Sequence, residues 1–209
     1  MMDLFKLSKG RKRCQMLFVY IKILIFWYDL LNMKLPSKPK AGLYIDDSNL
    51  YKRGKASGWM TDYKKLYKWV ANLNTIVHAR VYMGRPRYEP AKSISEALEK
   101  YFTKIGFTVT AKDLKRLRDA ASANGFRNKC NFDVEMHDEI MEDLGDLDIV
   151  YIASGDSDFI RTKENILKKQ KHIKFIAYEN NCAWEIKNSS WFISLDSIRP
   201  DVERRKNPA

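Results

Sequence analysis

The chain has 209 residues, 45% of them hydrophobic, and its 38 Lys or Arg against 26 Asp or Glu give a formal net charge of +12. That size and apolar content support about one domain with a sizeable buried core plus an appendage, and they exclude a chain that is disordered throughout. Cys14, Cys130 and Cys182 are odd in number and widely spaced, without a Cys-x-x-Cys pair, so neither a disulfide framework nor a zinc site is indicated and a reducing, cytoplasmic compartment is expected.

Residues 1–40 read as a basic and apolar extension with a linker. They hold nine Lys or Arg against two acids, leaving 29 against 24 for residues 41–209. Met16–Tyr28 is nearly all apolar and follows Lys6, Lys9, Arg11, Lys12 and Arg13, as a signal-like segment would. It is shorter than the roughly 20 residues needed to span a bilayer, Lys22 interrupts it, and no small-residue cleavage site follows. Secretion is therefore not expected, and a surface anchor is the membrane reading that survives. An early start site is the simpler reading, on which a chain beginning at Met33 is soluble and fully folded.

Past the Pro-rich linker 36–39, Leu43–Asp46 reads as a first buried strand that closes at Ser48 and Asn49, with 53–58 as a loop. Thr61 or Asp62 can cap a helix through Tyr63, Leu66, Tyr67 and Val70. Thr75–Met83 is a second strand broken by Gly84 and Pro86. Ala91–Ile105 is a helix whose Ile94, Leu98, Tyr101, Phe102 and Ile105 form a stripe expected in the core, and Phe107–Thr110 is a third strand. Residues 111–131 form a long basic connection. A helix over about Phe132–Leu144, strand Ile149–Ala153, a helix over about Phe159–Gln170, strand His172–Tyr178 and a short strand Trp191–Leu195 follow, with 199–209 as a basic tail. This alternation predicts parallel βαβ units in a three-layer α/β/α sandwich with a mainly parallel sheet of five to six strands. No internal repeat, Walker loop or G-x-G-x-x-G fingerprint is present, so nucleotide-cofactor chemistry has no support.

Two strands end in acids: Leu43-Tyr-Ile45 stops at Asp46, Asp47 and Asn49, and Ile149–Ala153 runs into Ser154-Gly-Asp156-Ser-Asp158. Open α/β sheets gather such ends into one crevice. A third acidic group, Asp133, Glu135, Asp138, Glu139 and Glu142, lies on the helix before the second acidic strand, with Asp133 at its N-terminal end, where the dipole favours a carboxylate and N-capping is the bland alternative. His78, His137 and His172 are too scattered for an imidazole metal site or a triad and read as structural. Three or four carboxylates without His or Cys are a ligand set for Mg²⁺ or Mn²⁺.

The motifs Leu43–Leu50, Asp62–Leu66, Lys129–Met136 and Ala153–Phe159, in that order, resemble the NYN domain family, particularly its LabA-like branch, over residues 41–198. The resemblance implies a PIN-like, Rossmann-like sheet, divalent metal ions and ribonuclease activity. By position, Asp46 is the metal ligand of the first strand, Asn49 the polar residue that orients the site, Asp133 the middle acid, and Asp156 and Asp158 the last pair. Asp47 stands where the family often has Gly, and the acid usually six residues beyond the middle Asp falls on Glu139, with Asp138 beside it.

The expected function is a Mg²⁺- or Mn²⁺-dependent endo- or exoribonuclease. Asp46, Asp133, Asp156 and Asp158 hold the ion that activates water against an RNA phosphodiester. Asn49, with Ser154 or Ser157, positions water or phosphate. Lys112, Lys115, Arg116, Arg118, Arg127 and Lys129 are the expected nucleic-acid contacts; Arg80, Arg85 and Arg87 form a second basic cluster and Arg204, Arg205 and Lys206 a third. Trp59 either stacks an unpaired base or is buried. RNA, single-stranded or structured, is the expected partner; self-association stays open, and membrane association is not expected. Two rivals remain. A catalytically inactive RNA-binding or protein-interaction adaptor binds without turnover. A phosphatase of the haloacid dehalogenase type needs an Asp-x-Asp pair at the first strand and a later catalytic Lys that this sequence does not offer.

Overall fold

The computed structural model describes residues 37–118, 125–180 and 182–205. The apolar segment 16–28 and Cys14 lie outside these residues, and no helix among them is long and apolar enough to cross a membrane. Strand β1 (Lys40–Asp46) is buried from Ala41 onward, the signature of a central parallel strand covered on both faces. It is followed by helices α1 (Asp47–Ser57) and α2 (Tyr63–Leu73), strand β2 (Thr75–Arg85), helix α3 (Ala91–Lys104) and strand β3 (Thr108–Asp113). Strands β4 (Lys115–Arg118) and β5 (Phe126–Lys129) come next, then α4 (Asp133–Asp143) and β6 (Ile149–Ala153). The chain goes on through α5 (Ile160–Lys168), β7 (His172–Ala177), α6 (Trp184–Lys187), β8 (Phe192–Ser194) and α7 (Arg199–Val202).

Six strands form one all-parallel sheet in the order β3-β2-β1-β6-β7-β8. The chain therefore steps one way from β1 to β2 and β3, then crosses back to β6 and steps the other way. Its topological switch point lies between β1 and β6. Leu50, Leu66, Val70, Phe102 and Val202 pack on one face with Leu43, Ile45 and Tyr151, while Met136, Ile140, Ile166 and Ile186 pack on the other with Tyr44, Val150 and Ile152. The three-layer sandwich expected from the alternation of elements is what forms.

Four local expectations fail. Residues 53–58 are not a loop: α1 runs through them, and Gly58 at φ 76° caps it. The second strand is not broken at Gly84 but continues to Arg85. Residues 111–131 are not a plain connection, because β3 extends to Asp113 and β4 and β5 pair as a separate antiparallel ribbon. On α3, Ile94 and Tyr101 are 59% and 41% exposed. That helix covers only the edge of the sheet, so only Phe102, flanked by Leu98 and Ile105, reaches the core.

Candidate functional site

Side chains alternate across a strand, so Asp46 lies on the same face of β1 as Tyr44, the face covered by α4. Parallel pairing sets Ile45 beside Ala153, which brings Asp46 next to Ser154 just past the end of β6. The Ser154 hydroxyl donates to Asp46 Oδ2 at 3.2 Å, and Ser48 Oγ and the Asn49 backbone N–H donate to Oδ1 at 2.9 and 3.1 Å. Asp46 is thus the N-cap of α1 and at the same time the acid at the switch point. Asn49 joins the two strand ends: its Oδ1 accepts the Gly155 N–H at 3.1 Å. A methyl group at Gly155 would sit 3.3 Å from Ala177 Cβ, Cys182 Cα and Cys182 Sγ, so close approach on that side favours glycine at this turn.

Beyond Gly155, Asp156 caps a single 3₁₀ turn, Ser157–Phe159, by accepting the Asp158 N–H on Oδ1 at 3.2 Å. Asp133 is the first residue of α4. It makes no capping hydrogen bond; its own N–H is met by Asn131 Oδ1 at 3.1 Å. Its carboxyl instead lies beside that of Asp158, close enough for the two to share a proton. Burial, this contact and the charges of Asp158 and Asp156 push Asp133 up to about 6, although a helix N-terminus favours a carboxylate. Burial, with the charge of Asp156 adding to it, also raises Asp46 above the ordinary carboxylate range against its three hydrogen bonds. Asp47 is pushed up to about 6 by burial and by Asp46, while the Tyr63 hydroxyl donates to its Oδ1 at 2.9 Å.

The four carboxylates are therefore neighbours in a chain, Asp46 feeling the charge of Asp156, and Asp133 those of Asp156 and Asp158. Their donors are all carboxylate oxygens, the type preferred by hard divalent cations, and the burial that chiefly raises Asp46 and Asp133, with the neighbouring carboxylates adding to it, is a cost that such an ion would relieve. The fit to Mg²⁺ or Mn²⁺ is chemical. Among the described residues no group of three or more His, Cys, Asp or Glu side chains closes around one point. The Asp133–Asp158 pair opens onto a shallow groove of about 340 Å³ shared with His137, Arg161 and Thr162. Arg161 forms no ion pair among the described residues, and sequence reading did not single it out. It is the second residue of α5, and its position three residues after Asp158 was the available signal.

Beneath the acids, α4 is fastened to the sheet. The Arg80 guanidinium forks onto Asp143 at 2.8 and 2.9 Å and reaches Glu139 at 3.2 Å. The Tyr44 hydroxyl donates to Asp143 at 2.9 Å and the Tyr82 hydroxyl to Glu139 at 2.8 Å. Burial opposes the charge on Asp143, but the Arg80 and Tyr44 hydrogen bonds outweigh it and hold its pKa below the usual carboxylate range. Glu139 is thus engaged in this clamp, and Arg80 is withdrawn from the basic cluster expected to face nucleic acid. Arg85 and Arg87 are likewise paired, with Glu99 at 2.7 Å and Asp113 at 3.6 Å. The clamp was missed although Arg80 and Tyr82 share one strand face and Glu139 and Asp143 are one helical turn apart.

The expected nucleic-acid contacts divide. Lys112 is ion-paired with Glu135 and lies over the Phe132 ring. Lys115, Arg116 and Arg118 are exposed on β4. Arg127 and Lys129 are on β5, with backbones opposite Leu117 and Lys115. Trp59 is buried and donates Nε1–H to Asp196 at 3.1 Å, so it is not a stacking surface. Lys206 lies outside the described residues, and the segment after Ile198 starts as helix α7, with Val202 in the core. Cys130 and Cys182 are free thiols.

Comparison with known proteins gives three matches. The NYN domain model matches residues 40–196. The low amplitude and bright protein LabA of Synechococcus elongatus is 27% identical over 172 residues, covering 81% of this chain and 90% of that protein. The crystal structure of a protein of unknown function from Vibrio parahaemolyticus superposes with a TM-score of 0.64 at 21% identity, covering 82% of this chain and 100% of the other.

Proposed function

The chain belongs to the NYN domain family, and from that premise we propose that it is a divalent-metal-dependent ribonuclease. The observation that supports this reading is that Asp46 and Asp156 lie just past the paired ends of β1 and β6, at the switch point of a parallel sheet, with Asp133 and Asp158 close to Asp156. In it, Asp46 and Asp156 hold the ion, and Asp133 and Asp158 complete its site. When bound, Mg²⁺ or Mn²⁺ supplies the positive charge that activates water and stabilises the scissile phosphate. The chain's own groups do the rest. Ser154 and Ser48 keep the Asp46 carboxylate oriented, and Asn49 locks the β1 and β6 ends together through the Gly155 N–H. Arg161, beside the Asp133–Asp158 pair, faces the incoming phosphate from the shared groove. The exposed Lys115 and Arg118 of β4 hold the RNA backbone.

The test is end-labelled single-stranded RNA incubated with the full chain in Mn²⁺, Mg²⁺ or EDTA, beside an Asp156→Asn variant purified identically. Cleavage that requires metal and disappears in the variant is expected. If both proteins bind the RNA and neither cuts it under any metal, the chain is an RNA-binding adaptor and the ribonuclease reading is wrong.

A further inference from the structure

The β4–β5 ribbon contributes little to the core. All four side chains of β4 are exposed, and the ribbon is separate from the six-stranded sheet. Its root is nevertheless fixed. The Leu114 N–H donates to the Arg85 carbonyl at 2.9 Å, and Leu114 packs so closely on Gly84 that a methyl group there would lie 2.3 Å from Cδ2. The root lies at the carboxyl ends of β2 and β3, the same end of the sheet as Asp46. β5 then ends at Lys129, four residues before Asp133.

The ribbon and the loop after β2 enclose a groove of about 420 Å³ lined by Arg87, Tyr88, Glu89, Leu114, Arg116 and Phe126. Tyr88 is 77% exposed. Arg118 pairs with Phe126 across the ribbon, which places Arg116 diagonally on the same face, and its guanidinium lies 3.9 Å from the Phe126 ring centroid. The one carboxylate, Glu89, is engaged by the Ser93 N–H and hydroxyl at 3.1 and 2.6 Å. An exposed aromatic ring beside a cation-stacked ring, with Lys115 and Arg118 along the same ribbon, is the pattern that binds unpaired bases and their phosphates.

We propose that this groove is a base-stacking subsite for single-stranded RNA, with Tyr88 and the Arg116–Phe126 pair holding unpaired bases of the strand whose phosphodiester reaches the acids. The proposal deepens the ribonuclease reading, because it names unpaired RNA as the substrate class. Duplexed bases are stacked on their neighbours and cannot enter.

The test measures binding of fluorescein-labelled oligouridine and of an RNA duplex of equal length by anisotropy. It uses the full chain in EDTA, with Tyr88→Ala, Tyr88→Trp, Arg116→Gln and, as an equal loss of charge elsewhere, Lys68→Gln on α2. Tyr88→Ala and Arg116→Gln should each weaken single-strand binding about tenfold and leave duplex binding within about twofold, while Tyr88→Trp retains it. Single-strand affinities of Tyr88→Ala and Arg116→Gln equal to that of Lys68→Gln, or no preference of the parent chain for the single strand, overturn the proposal. Binding is read without metal, so a chain that never cuts RNA still reports on the groove, and a chain that cuts RNA can still fail this test.

Discussion

Asp133 is the side chain whose surroundings conflict most openly with its charge. Its pKa, pushed up to about 6 by burial and by Asp158, lies above that of an unfolded Asp, so its contribution to stability is complete below about pH 4 and is lost as pH rises through 6. Asp133→Asn removes that loss. In EDTA at about pH 8 the variant should be more stable than the parent by about 1 kcal/mol, a figure reduced for solvent screening, and at about pH 4 the difference should vanish. Urea melts at the two pH values measure this, and an equal gap at both would show that Asp133 is not in conflict with its neighbours. Adding Mn²⁺ at the higher pH should raise the melting temperature of the parent more than that of the variant, because binding to the folded state alone is stabilising and the variant has lost a ligand.

At the scale of elements, α4 carries both the middle acid and the clamp that positions it. Arg80→Ala leaves Asp143 and Glu139 without their cation in a largely buried setting and should cost about 3 kcal/mol, measured by denaturant unfolding. Cleavage by the folded variant should also fall, since α4 is then free to shift Asp133 away from Asp158. Unchanged stability would mean that the Tyr44 and Tyr82 hydroxyls suffice. The pH sign is opposite to that of Asp133: the lowered pKa of Asp143 gives a contribution present above the unfolded pKa and lost as pH falls through the folded one. Helix α1 shows why one element was illegible. It buries only Leu50 and Gly54, so its polar sequence with an internal glycine reads as a loop. Gly54 is selected by packing instead, since a methyl group there would lie 2.8 Å from the Tyr178 hydroxyl and 2.9 Å from the Trp59 carbonyl.

For the whole molecule, Lys40–Val202 contains the complete sheet and both helical layers. A chain beginning at Met33 should therefore keep the melting temperature and metal-dependent cleavage of the full chain, checked by circular dichroism and the RNA assay. Loss of folding in it would show that residues 1–32 pack on the domain. The sequence by itself determined the alternation of strand and helix, the parallel sandwich and the acids at two strand ends, because periodicity, caps and strand-ending residues are local properties. Only the tertiary structure decided which acids lie near one another, that Arg80 serves a clamp, that Lys112 is paired with Glu135, and that Lys115–Arg118 and Phe126–Lys129 pair as a ribbon. Those outcomes depend on pairing between segments far apart in the chain, such as Asp46 with Ser154 and Arg80 with Asp143. Pairing of β1 with β6 selects the first partner and packing of α4 on the sheet selects the second.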